Sequence, residues 1–198
     1  MDLFTSSNLL TPIPVPDGEL AFLAQLPLAH NNDTVLARLI AETDWRSEPI
    51  TVWGKQYMQP RLTAWHGDAS YTYSGLRMEA QPFTVLQQEL RAAVEAASGR
   101  RFNSVLLNYY RDGRDSMGMH SDNEPELGSQ PAIASLSFGA ERTFVLQHKR
   151  SRQRLRIALT DGSLLLMSGT LQQNWVHGIN KTTRPTGARV NLTFRFVA

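Results

Sequence analysis

From residue 100 to the C-terminus the chain consists of short runs in which apolar and polar side chains alternate or β-branched residues gather: SVLLNYY, MGMHSD, AIASLSF, TFVLQHK, RLRIAL, SLLLMS, NWVHGI and ARVNLTFRFV. Alternation with a period of two, bounded by turn residues, predicts half-buried strands. The turns are supplied by DG at 112 and 161, GA at 139 and SG at 168. About eight strands at this spacing suggest a sandwich or a jelly roll, the architecture shared by cupins. Before residue 100 the apolar period lengthens. Residues 33–44, DTVLARLIAETD, set Leu36, Leu39 and Ile40 at helical spacing behind an Asx cap. From Pro82 to about Ser98 a second stripe holds Phe83, Leu86, Leu90 and Val94, with proline in the first turn and Gly99 as the stop. Both stripes predict helices packed on a core.

The last strand has a different texture from the rest. Its odd positions, Arg189, Asn191, Thr193 and Arg195, share one face, while Val190, Leu192, Phe194 and Phe196 share the other. If the apolar side packs into a sandwich wall, two guanidinium groups and an amide enter the interior. Buried charge is costly without a partner, so this face would imply a bound anion with about two negative groups. An edge strand with its arginines in water fits the same pattern.

Composition narrows the chemistry. The 198 residues, 41% hydrophobic and 19% charged, suit one soluble domain. There is no cysteine, so disulfides, thiolate metal sites and a cysteine nucleophile are excluded, and any metal must use histidine and carboxylate. No basic residue precedes Arg38, which argues against a targeting peptide, and the longest apolar runs, such as LLLM at 164–167, are far too short for a bilayer. A cytoplasmic protein, monomeric and without a membrane partner, is expected. The net charge of +2 is uneven: residues 1–50 hold seven acids and two arginines, leaving 11 acids against 18 bases. Lys149, Arg150, Arg152, Arg154 and Arg156 form the densest cluster, either a solvated hairpin rim or a face for nucleic acid.

In MHSDNE, residues 119–124, His120, Asp122 and Glu124 alternate. On an extended strand they would converge, as a metal site or as a wet strand edge. His177 lies in another predicted strand, with 54 residues between it and Asp122. Two histidines and one carboxylate leave open positions on a metal, an arrangement associated with non-haem Fe(II). His30 and His66 lack a paired acid at strand spacing, and His148, inside the basic cluster, reads as a surface or phosphate-contacting group.

The ordered set NYYRDGRDSMGMHSDNE, PAIASLSFGAERTF, DGSLLLMSGTLQQNWVHGINKT and GARVNLTFRF resembles the AlkB family of Fe(II)/2-oxoglutarate-dependent nucleic-acid dealkylating dioxygenases, over roughly residues 50–198. The resemblance implies an α+β, mainly β fold: a double-stranded β-helix (jelly roll, cupin-like) with two N-terminal helices packed on one sheet. It implies a single domain, with 1–100 an extension carrying helices and nucleotide-recognition hairpins and 101–198 the catalytic core. By the same resemblance His120, Asp122 and His177 would bind Fe(II), and Asn108 and Tyr110 would contact 2-oxoglutarate. Arg189 would pair with its distal carboxylate, Arg195 would lie near the metal-bound one, and Asn191 would support the site.

Glu124 matches the family's acid facing the target base, with Tyr71, Tyr73 and Trp65 as an aromatic cage. A ring-methylated adenine or cytosine is cationic near neutral pH, which carboxylates and aromatic faces favour. Trp53 sits where relatives place a side chain that fills the space of an extruded base, and Arg61 where a backbone contact would help. The implied activity is oxidative demethylation of 1-methyladenine- and 3-methylcytosine-type bases in alkylated DNA or RNA, with Fe(II), 2-oxoglutarate and O2. Two rivals remain at this stage: a 2-oxoglutarate-dependent hydroxylase of a small molecule or protein side chain, and a noncatalytic nucleic-acid-binding relative.

Overall fold

The structure is a computed structural model that describes residues 9–47, 49–52, 55–68, 71–73, 76–78 and 80–198. Its elements are β1 (Thr11–Pro12), β2 (Glu19–Leu23), α1 (Asn32–Glu42), β3 (Pro49–Val52), β4 (Lys55–Met58), β5 (Leu62–Gly67), β6 (Tyr71–Tyr73), β7 (Leu76–Met78), α2 (Val85–Ser98) and β8 (Ser104–Tyr110). There follow β9 (Met117–His120), β10 (Ile133–Gly139), β11 (Arg142–His148), β12 (Arg154–Leu159), β13 (Leu164–Ser168), α3 (Leu171–Asn174), β14 (Trp175–Ile179) and β15 (Arg189–Arg195). All eight strands expected after residue 100 form.

A seven-stranded antiparallel sheet has the order β1-β2-β13-β10-β15-β8-β5, and a four-stranded sheet the order β12-β11-β14-β9. The arrangement is mostly β and fits a jelly roll. Two small hairpins, β3–β4 and β6–β7, stand apart from these sheets. Strands β1, β2 and β5 come from the first hundred residues, so the large sheet crosses the division expected near residue 100. Their short runs carry little alternation of their own, and pairing with later strands is what makes them strands.

Two hydrophobic clusters follow from strand parity. On one face of the large sheet Val105, Leu107, Leu136, Val190, Leu192 and Phe194 pack with Val35 and Leu39 of α1 and with Leu86, Leu90 and Val94 of α2. The opposite face meets the small sheet through Leu106, Tyr110, Phe144, Leu146, Trp175 and Ile179. Both helices therefore cover one sheet, as expected, but their starts differ. The Asn31 side chain accepts from Thr34 N–H at 2.8 Å, so α1 is capped two residues earlier than Asp33 and buries Val35. In α2 a capping box between Thr84 and Gln87 starts the helix at Val85 and leaves Pro82 outside it. Gly99 ends it with φ 64, the left-handed conformation that glycine adopts without penalty.

The register lays polar residues in rows across the inner face of the large sheet. Ser137 faces Asn191, which faces Asn108, which faces Thr63; one row along, Arg189 stands opposite Tyr110. Because β15 is central in its sheet, an edge-strand reading of its arginines fails: every residue from 189 to 195 is buried.

Candidate metal and cosubstrate site

Strand β9 pairs antiparallel with β14 and sets His120 opposite His177, with ring centroids 4.5 Å apart. A Cβ at Gly178 would stand 2.7 Å from the Met117 carbonyl oxygen and 2.9 Å from that of Gly118. The missing side chain is what lets β9 close onto β14. Asp122 lies in the loop beyond β9, only 1% exposed. His120 Nε2 is 3.9 Å from its Oδ1 and His177 Nε2 is 3.8 Å from its Oδ2. One ligand atom from each of the three lies within 4.8 Å of the others, the only such group among the described residues. His120 Nδ1 is 2.9 Å from the Gly118 carbonyl oxygen. A proton on that nitrogen leaves Nε2 to face the centre.

Here the strand-parity expectation needs correction. β9 ends at His120, so Glu124 does not stand in line with the other two. It precedes a 3-10 turn, Pro125–Leu127, and its Oε2 is buried with no hydrogen-bond partner among the described residues.

Around the triad the charges are set by burial and by one arginine. Burial alone would raise the Asp122 pKa, but Arg195 and the two imidazoles outweigh it and hold the carboxylate well below its ordinary range. Arg195 Nη2 donates to Asp122 Oδ1 at 2.7 Å with both groups dry. Burial, reinforced by His120, lowers the His177 pKa to about 3, so this imidazole is neutral and fit to ligate.

The cavity beside the triad is lined by Tyr110, Met117, Arg189, Asn191 and Arg195, among others. Asn191 is held by Ser135, the Leu136 carbonyl and Thr193. Arg189, 1% exposed, donates Nη2 to Ser137 Oγ at 2.9 Å. Its Nε and Nη1 have no hydrogen-bond partner among the described residues. The Tyr110 ring lies 5.0 Å from the guanidinium carbon, and its hydroxyl favours the charge without satisfying those hydrogens. Burial pulls the Arg189 pKa down, yet a guanidinium stays protonated. A dry guanidinium with open donors calls for a carboxylate. Asn108 Nδ2, in the neighbouring row, is likewise buried without a partner among the described residues.

The remaining sequence candidates are less uniform. Arg61, expected to meet a nucleic-acid backbone, is 4% exposed and donates Nε to Asn108 Oδ1 at 2.7 Å. It points inward because it precedes β5 on the face that carries Thr63 and Trp65. Trp65 is buried in the inter-sheet cluster with Leu106 and Tyr110. Tyr71 and Tyr73 sit on β6, their side chains outside the described residues, and Trp53 also lies outside them. His148 is corrected from a surface group to a structural one: buried, with Nε2 3.2 Å from Asp17 Oδ2 and Nδ1 accepting from the backbone of Arg150 and Ser151. His66 is buried against the Pro82 carbonyl, and His30 is exposed beside Glu89. Arg150, Arg152, Arg154 and Arg156 are all exposed. Gln172, ahead of β14, was not singled out from the sequence although it touches two triad members. A glutamine in a polar run carries no signal of that kind.

Residues 20–195 match the family described as the 2OG-Fe(II) oxygenase superfamily. The chain belongs to that superfamily. Within this oxygenase superfamily its relatives bear out the AlkB resemblance. It is 43% identical over 180 residues to the alpha-ketoglutarate-dependent dioxygenase alkB homolog 3 of Rattus norvegicus, a match covering 83% of this chain and 59% of the relative. It is 40% identical over 156 residues to the DNA oxidative demethylase ALKBH2 of Homo sapiens, covering 74% and 60%. The chain thus spans about three fifths of the length of these curated relatives. A solved structure of OsALKBH1 has a TM-score of 0.63 at 15% identity over 94% of this chain and 100% of that one, a likeness of fold.

Proposed function

We propose that the chain is an oxidative demethylase of N-alkylated nucleic-acid bases of the 1-methyladenine and 3-methylcytosine type, built on a double-stranded β-helix. The observation that carries the reading is the conjunction of the His120–Asp122–His177 group with the open donors of Arg189 in one cavity. The donor set, two imidazoles and one carboxylate, fits Fe(II), and the orphaned guanidinium hydrogens fit the distal carboxylate of 2-oxoglutarate. When bound, iron, 2-oxoglutarate and O2 supply the oxidising equivalent that hydroxylates the N-methyl carbon, with succinate, CO2 and formaldehyde as products.

The chain's own residues supply position and exclusion. Arg189, steadied by Ser137 and Tyr110, orients the cosubstrate, while Asn108 offers its open amide from the neighbouring row and Asn191, itself fully bonded, supports the wall. Arg195 fixes one Asp122 oxygen, which leaves the other to face the ion. Phe144 and Ile179 keep bulk water from the cavity. Glu124, with a buried and unpartnered oxygen beside the ligand loop, suits a cationic methylated ring. Tyr71 and Tyr73 remain the proposed aromatic neighbours. The names of the relatives support this substrate class, and the exposed arginines of the β11–β12 hairpin suit a phosphate backbone.

The test offers methylated DNA and RNA oligonucleotides to the protein with Fe(II), 2-oxoglutarate and O2, following formaldehyde and product mass. Demethylation is expected, and it is expected to vanish in Asp122→Ala. Full turnover by that variant would defeat the ligand assignment. Cosubstrate consumption driven by small molecules alone would favour the rival hydroxylase.

A further inference from the structure

Gln172 lies in the single helical turn that leads into β14, and it is 1% exposed. Its Oε1 accepts the backbone N–H of Asp122 at 3.0 Å and stands 3.1 Å from His177 Nε2. Its Nε2 lies 3.7 Å from Met167 Sδ. One amide oxygen therefore joins two triad members that are far apart in the chain. The orientation of the amide is not free. A backbone N–H can only donate, so the atom facing Asp122 must be the oxygen, and the same oxygen faces His177. His177 Nε2 must then carry the imidazole proton in the metal-free chain, which agrees with an Nδ1 that has no partner among the described residues.

The turn itself is well anchored. Lys149 Nζ donates to the carbonyl oxygens of Gln172 and Gln173 at 3.0 and 2.8 Å, and Gln173 Nε2 donates to the Ser129 carbonyl at 2.6 Å. Ser121 Oγ donates to the Trp175 carbonyl at 2.8 Å, tying the Asp122 loop to the start of β14 a second time. Of these turn and loop residues, Gln172 is the one whose side chain meets both Asp122 and His177.

We propose that Gln172 is a positioning residue of the metal centre, whose amide oxygen, set between the Asp122 backbone N–H and His177 Nε2, keeps Asp122 and His177 at ligating distance. This rests on the metal reading above. In a loaded site the Nε2 lone pair of His177 would go to the ion. The proton leaves Nε2 for solvent while Nδ1 gains one, so the imidazole stays neutral. Gln172 keeps its bond to Asp122 N–H throughout. Orienting partners of this kind commonly change metal affinity by about 10- to 100-fold.

The experiment titrates Co(II) into the metal-free protein and follows its visible absorption, for wild type, Gln172→Leu, Gln172→Glu and Gln173→Ala. Expected is a dissociation constant raised about 10-fold or more in Gln172→Leu, at least wild-type affinity in Gln172→Glu, which keeps the acceptor oxygen, and no change in Gln173→Ala. An unchanged or tighter Gln172→Leu would overturn the proposal. So would equal loss in the leucine and glutamate variants together with a lowered metal-free melting temperature, since that marks a packing role. Long-range 1H–15N NMR of the metal-free wild type should show the His177 proton on Nε2, and finding it on Nδ1 would also overturn it. Failure of wild type itself to bind Co(II) would instead count against the metal reading.

Discussion

On the helix-covered side of the large sheet, Val190, Leu192 and Phe194 of β15 are sealed by α1 and α2. One residue to either side, Arg189, Asn191, Thr193 and Arg195 point the other way and are buried too. The two faces share strands, burial and backbone hydrogen bonds, and differ only in side-chain parity. The apolar face is complete as it stands. The polar face is satisfied in part, since Asn191 is fully engaged while Arg189 keeps open donors. Burial alone thus does not separate a scaffold from a site. The separating quantity is whether buried polar atoms find partners within the chain.

Removing apolar volume should act on the first face alone. Leu192→Ala is expected to cost about 2–5 kcal/mol of stability, read by denaturant unfolding, with the 2-oxoglutarate requirement per folded molecule unchanged. A shifted requirement would break the distinction between the faces. Next in size, Arg189→Lys should raise the half-saturating 2-oxoglutarate concentration about 10- to 100-fold, the worth of one charge-assisted hydrogen bond of roughly 1.5–3 kcal/mol. Stability should fall by no more than the single Nη2 bond to Ser137 Oγ is worth, because Nε and Nη1 have no partner among the described residues. The smallest effect is expected at arginines of the opposite kind. Arg154 and Arg156 stand in water on the edge strand β12. Replacing both with alanine should leave turnover of short substrates near wild type and flatten the dependence of oligonucleotide binding on log salt by about 0.7–0.9 per arginine.

What could be read from the chain follows the same division. Strand parity and helical stripes are local repeats, so the eight later strands, both helices and the two faces of β15 were legible. The strands before residue 100 were not, because Thr11–Pro12 and Glu19–Leu23 become strands only by pairing with β13 and its neighbours. Within the site, His120, Asp122 and His177 could be named from spacing and resemblance, but an unbroken strand through Glu124 could not survive the turn at Pro125. Arg61, Trp65 and His148 were read as facing solvent or substrate, and which way they face is set by partners such as Asn108 and Asp17 that lie far along the chain. Gln172 gives no local signal, since its role exists only where the Asp122 loop meets β14.

The ion pair between Arg195 and Asp122 has a consequence for the order of events. With one carboxylate set against Arg195 and Arg189 in the same dry chamber, the interior carries surplus positive charge before anything enters. A divalent cation alone would worsen that imbalance, and a dianion alone would reverse it. Arriving together, they leave the chamber as it began, so each guest should tighten the hold on the other by an equal factor.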